Sequence, residues 1–153
     1  MTPDSISREI AIAAPVERVW SVLTSSEHIG NWFGQGTPTA IDLRPGGVMV
    51  LDHGEYGTFL TRIETVEEPY RFAYRWASAH PGELATDDNS TLVEFTLTRN
   101  GSGTTLSVVE TGFASLAIPP EREPTAGYDS HRAGWAEVVV TLAKYAEHAE
   151  VGA

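Results

Sequence analysis

Glu110 is the side chain whose placement apolar packing explains least. In Leu106-Ser107-Val108-Val109-Glu110-Thr111 it keeps step with Leu106 and Val108. At the two-residue period of a strand, all three point to one face. A carboxylate on an apolar face is costly unless it is paired or protonated, and in that setting it could work as a general acid or base. Close to the strand end, Glu110 could instead reach solvent or bond to the segment that follows, and this reading is preferred. If it is buried, Glu110→Gln is expected to stabilise the fold at neutral pH. His53, at the end of a run carrying Met49 and Leu51, is the first partner to consider for such an acid. Histidines 28, 80, 131 and 148 show no ligand spacing of the H-E-x-x-H kind, so no metal is expected.

Other chemistries are absent by composition or motif. The 153 residues include no cysteine, which removes disulfides, thiolate nucleophiles and cysteine-based metal sites. There is no G-x-S-x-G, phosphate-binding loop or dinucleotide fingerprint, and no cofactor is expected. Acidic residues outnumber basic ones by 21 to 10, for a net charge of −11. That sign repels nucleic acids and anionic membrane surfaces, both of which are bound by lysine and arginine. No stretch approaches the roughly 18 apolar residues of a membrane span, and Met1 to Glu9 does not read as a signal peptide. The expected location is cytoplasmic. The sequons at Asn89 and Asn100 then read as turn chemistry.

These residues must be positioned by a single domain. Ile6 to Ala13 is strand-compatible. Pro15 opens a short helix, with Val16, Val19, Trp20 and Leu23 on its apolar face. Ser25 or Ser26 caps a second one carrying Ile29, Trp32 and Phe33, ended by Gly34. Strands follow at Thr39–Leu43, Val48–Asp52, Thr58–Val66 and Arg71–Ala77. They are separated by Arg44-Pro45-Gly46-Gly47, Gly54-Glu55-Tyr56-Gly57 and Glu67-Glu68-Pro69. Thr91–Arg99 and Thr104–Thr111 form a hairpin about Asn100-Gly101-Ser102-Gly103. Gly112 to Ala126, with three prolines, is a candidate lid. From Gly127 to Glu147 a long helix carries Trp135, Val138, Val139, Leu142 and Ala146 on one face. The acidic pairs Glu67-Glu68 and Asp87-Asp88 fall in turns and are expected to be solvated. Strand, two short helices, six strands and a long helix make an α+β domain.

In that order, five local motifs resemble the START-related superfamily, also called SRPBCC or birch-pollen-allergen-like. Within it they resemble the branch named after activators of the heat-shock-protein-90 ATPase. They are Ala14-Pro15-Val16-Glu17-Arg18-Val19-Trp20, Asn31-Trp32-Phe33, Pro45-Gly46-Gly47, Glu67-Glu68-Pro69-Tyr70-Arg71-Phe72 with Tyr74 and Trp76, and His131-Arg132-Ala133-Gly134-Trp135. The resemblance implies a helix-grip fold: a seven-stranded antiparallel sheet around the C-terminal helix, with an apolar cavity between them. Its sheet order puts His53 and Glu110 four strand spacings apart, about 19 Å, so a direct dyad is rejected.

In this fold the ligand-binding side chains are expected to be Trp32, Met49, Leu51, Phe59, Tyr74, Trp76, Phe95, Glu110, Trp135, Val139 and Leu142. Trp20, on the first helix, is expected to be core. No catalytic residue is assigned, and Glu110 is the candidate should there be one. The expected function is binding of a small hydrophobic or aromatic molecule, as a carrier or sensor. The alternatives are a protein-interaction module that modulates a chaperone, or a cyclase or hydrolase using Glu110. A monomer and a homodimer are both compatible with the sequence.

Overall fold

In the computed structural model, described residues are 4–25, 28–29, 32, 40–52, 57–78, 80, 82–86, 88–113, 118, 120 and 127–148. The named elements are β1 (Ser5–Ile12), α1 (Val16–Thr24), β2 (Val48–Asp52), β3 (Thr58–Glu67), β4 (Arg71–Trp76), β5 (Thr91–Asn100), β6 (Gly103–Thr111) and α2 (Tyr128–His148). The strands form one antiparallel sheet in the order β1-β6-β5-β4-β3-β2. Strands β2 and β6 are therefore four spacings apart. His53 itself lies outside the described residues.

Among the described residues the sheet has six strands where seven were expected, and there are two named helices where three were. The expected strand at Thr39–Leu43 shrinks to one bridge, Ile41 to Met49. Asp42 N–H donates to Val48 O and Val50 N–H to Ala40 O, but Arg44 N–H then turns back to Asp42 O at 2.8 Å. The turn that follows admits no other path. Gly46 sits at φ 84°, and a Cβ on Gly47 would come within 2.1 Å of Asp42 O. Of the second short helix, His28, Ile29 and Trp32 are helical. Its proposed stop at Gly34 lies outside the described residues, as do most of the 112–126 segment and the 53–56 connection.

Elsewhere local chemistry and structure agree. Pro15 precedes α1, and its carbonyl accepts from Arg18 and Val19. The β5–β6 hairpin pairs Asn100 with Gly103 across Gly101-Ser102, with Gly101 at φ 62°. Glycine at the first central position is what a two-residue II′ turn requires. In β4, Phe72, Tyr74 and Trp76 alternate inward against Arg71 and Arg75 outward. β4 ends at Trp76, and residues 82–85 then run beside the start of β3, bonded to Thr58 and Leu60.

The inward face of the sheet is covered by α2, whose 21 residues span roughly 30 Å at 1.5 Å each. His131, Trp135, Val139, Leu142, Ala143 and Ala146 form its buried stripe. Helix α1 closes one end of this core through Val16, Val19, Trp20, Val22 and Leu23. Among the described residues no helix is long and apolar enough to cross a membrane.

Candidate functional site

Sheet register places the site. Glu110 on β6 pairs with Val93 on β5, which pairs with Tyr74 on β4, so these three form one row across the inward face. Two residues along, Trp76 pairs with Thr91. The parallel row on the other side is Phe72, Phe95 and Val108. Aromatic side chains thus flank Glu110 because β4 and β5 present them at the same two-residue period that turns Glu110 inward.

Glu110 does not reach solvent, contrary to the preferred expectation. It is 0 % exposed. The strand end is covered by α2, whose first buried turns supply what the carboxylate needs. His131 Nδ1 lies 2.8 and 3.0 Å from its two oxygens, and Trp135 Nε1–H donates at 2.8 Å. The Thr91 hydroxyl donates from the sheet side. Three donors converge on one acceptor group, the arrangement that suits a buried carboxylate. The sequence could have pointed to this cluster. His131 stands four residues before Trp135, on the helical face that meets the strand carrying Glu110.

Around the cluster the wall is aromatic. The His131 ring stacks on Trp76 with centroids 4.9 Å apart and meets Phe113 edge-on at 5.3 Å. Phe59 meets Trp76 edge-on, and Trp135 does the same to Phe95. Among the described residues, Tyr74 Oη, on the sheet row of Glu110, Ser78 Oγ, two residues beyond Trp76, and His131 Nε2 are buried with no hydrogen-bond partner. Burial, and then the charge of Glu110, hold the Tyr74 phenol well above its ordinary pKa, so it stays an O–H.

The eleven residues expected to bind ligand are all buried in this interior. Eight of them form the sheet face or the stripe of α2 beside the cluster. Trp32 sits against Phe95, its indole N–H donating to Val22 O at 2.7 Å. Met49 and Leu51 lie at the far edge, on β2. Trp20 is core, as expected, but its indole N–H donates to Glu68 at 3.0 Å, so Glu68 is not simply solvated. Among the described residues no group of histidine and carboxylate side chains could hold a metal ion.

A carboxylate that fixes one imidazole nitrogen leaves the other directed and available, for hydrogen bonding or for proton transfer. The site can therefore read a polar group on an otherwise apolar molecule.

A helix laid across an antiparallel sheet, with an aromatic interior, is the helix-grip arrangement. The chain belongs to the family of Activator of Hsp90 ATPase homolog 1-like proteins, whose model matches residues 13–147. Among solved structures it is similar to DynU16 of the dynemicin biosynthetic locus, at 26% identity and a TM-score of 0.72. That likeness covers 95% of this chain and 48% of DynU16, so the chain spans about half of that protein's length. The Bacillus halodurans protein BH1534 shares the fold at 24% identity and a TM-score of 0.72, covering 96% of this chain and 100% of that one. So does the Aha1 dimer from Colwellia psychrerythraea, at 14% identity and 0.70, covering 94% and 96%. No curated protein matches this chain.

Proposed function

We propose that this protein binds a small, predominantly apolar or aromatic molecule between the sheet and α2. The observation that carries the reading is the set of buried atoms without partners, Tyr74 Oη, Ser78 Oγ and His131 Nε2, in an aromatic surround. A buried polar group left unsatisfied costs about 1–3 kcal/mol, and native folds carry few of them. Three of them, on β4, just beyond it and on the facing turn of α2, are explained if this part of the interior meets a ligand. Small-molecule sites have this make-up: apolar and aromatic walls with a few converging polar groups.

Family membership keeps open a role in modulating a chaperone or another protein partner. Among the described residues, the exposed large hydrophobic side chains, Leu43, Tyr70, Leu84 and Val140, lie on three separate connections and on α2. The interior is the better supported site.

The neutral dye Nile red is expected to bind near one equivalent and to shift in emission. Val139, buried on α2 one turn beyond Trp135, is the residue to block. Beside a space that accepts ligand, Val139→Phe should cost less than about 1 kcal/mol, below the usual penalty for overpacking a filled core. It should also abolish dye binding. A variant that melts several degrees early, or one that keeps full binding, would remove the ligand-carrier reading.

A further inference from the structure

The polar end of the interior also says what kind of molecule it accepts, an inference that rests on the ligand-binding reading above. Among the described residues, the buried polar and charged side chains include one carboxylate, Glu110, and no lysine or arginine. The buried cation that could answer Glu110 is His131, and its Nδ1 is already committed to that carboxylate. Whichever protonation state His131 takes, the cluster carries no positive charge in excess of Glu110. A ligand carboxylate or sulfonate brought here would lose its hydration and meet a carboxylate with no counter-ion.

An uncharged oxygen meets the opposite situation. Tyr74 Oη is an O–H with no partner of its own, and His131 Nε2 is held in place by the bond on its other nitrogen. A hydroxyl or a carbonyl can satisfy such atoms, which gain a partner without any charge being buried. A flat aromatic skeleton suits the rings that surround them, Trp76 stacked on His131 and Phe59 edge-on to Trp76.

We propose that the site selects uncharged aromatic molecules bearing a hydroxyl or carbonyl oxygen, received by Tyr74 Oη and His131 Nε2, and rejects carboxylates of the same size. The test is equilibrium dialysis of the full chain at pH 7 against 2-naphthol, 2-methylnaphthalene and 2-naphthoate, three probes of nearly equal shape. One added hydrogen bond is worth about tenfold in affinity. The expected order is 2-naphthol about tenfold tighter than 2-methylnaphthalene, with 2-naphthoate at least tenfold weaker than the hydrocarbon. Tyr74→Phe should reduce the 2-naphthol preference to threefold or less and leave the hydrocarbon unchanged. Equal binding of 2-naphthol and 2-methylnaphthalene overturns the proposal while leaving the apolar ligand site standing, and so does tightest binding of 2-naphthoate. Binding of none of the three by folded protein overturns the ligand-binding reading itself. The wild-type ranking decides the matter even if the variant folds poorly.

Discussion

The two ends of the interior treat their polar atoms differently. Beside α1, each buried donor has found an acceptor in the chain. Trp20 Nε1–H donates to Glu68, Trp32 Nε1–H to Val22 O, the Thr24 hydroxyl to Trp20 O and the Thr104 hydroxyl to Ala14 O. Beside the start of α2, the Glu110 cluster is internally bonded, yet His131 Nε2, and Tyr74 Oη on the row of Glu110, have no partner among the described residues. Both ends are rich in aromatic rings, so hydrophobicity does not separate them. Satisfaction does. An end that completes its own hydrogen bonds is finished as structure, and an end that leaves several unmade is where the proposed ligand would complete them.

The largest break in this comparison is expected at Glu110. Removing the carboxylate strands His131 Nδ1, Trp135 Nε1 and the Thr91 hydroxyl together, in a buried setting. Glu110→Ala should cost about 3 kcal/mol or more in a denaturant titration, because three buried donors lose their acceptor at once and each costs about 1–3 kcal/mol unmet. The sequence-based expectation that Glu110→Gln stabilises is reversed by the geometry. All three neighbours donate, so one face of the amide would set N–H against a donor, and the cost should be about 1–3 kcal/mol. Stability unchanged by either substitution would mean that the cluster does not hold α2 to the sheet.

That reversal marks where sequence reading stopped. Strand alternation at Phe72, Tyr74 and Trp76, and the stripe through Trp135, Val139 and Leu142, were legible because burial repeats at the period of the element. The side on which Glu110 points was legible for the same reason. What covers it was not. His131 is about twenty residues further on, and a pairing between a strand and a helix has no spacing rule to betray it. The lost seventh strand failed differently. Ile41 suits a strand, but the close turn through Asp42, Arg44, Gly46 and Gly47 leaves room for one bridge. Glu68 looked like an ordinary turn residue because Trp20, which donates to it, is 48 positions earlier.

At the finished end a smaller effect is expected. Glu68 accepts from Trp20 at the border of the core, so Glu68→Ala leaves an indole N–H that solvent can partly reach. The loss should be about 1 kcal/mol, that of an ordinary hydrogen bond. It should leave binding of an apolar dye at the opposite end as it was. A loss of dye binding in Glu68→Ala would show that the two ends are not independent.

The last expected effect at neutral pH is a small gain, and it is the sharpest test of the contrast. Tyr74→Phe deletes a buried oxygen that has no partner among the described residues, and the penalty of leaving it unmet goes with it, so the variant should be more stable at pH 7 by about 1 kcal/mol. The difference should appear in alkali. An exposed tyrosine in the unfolded chain titrates near pH 10, whereas burial and Glu110 raise the phenol of Tyr74 well above that in the folded protein. The unfolded state therefore releases this proton first. The stability contributed by Tyr74 is complete below about pH 10 and falls as pH rises beyond it, by up to about 1.4 kcal/mol per unit. Phenylalanine has no proton to lose, so the variant escapes this part of the alkaline decline. Subtracting the two stability curves cancels the other four tyrosines. The difference should be flat to about pH 9 and should grow in the variant's favour above about pH 10. Curves that stay parallel through pH 11, or a loss above 1 kcal/mol at pH 7, would show that the hydroxyl is already satisfied within the fold. The contrast between a finished and an open end would then fail at its central residue.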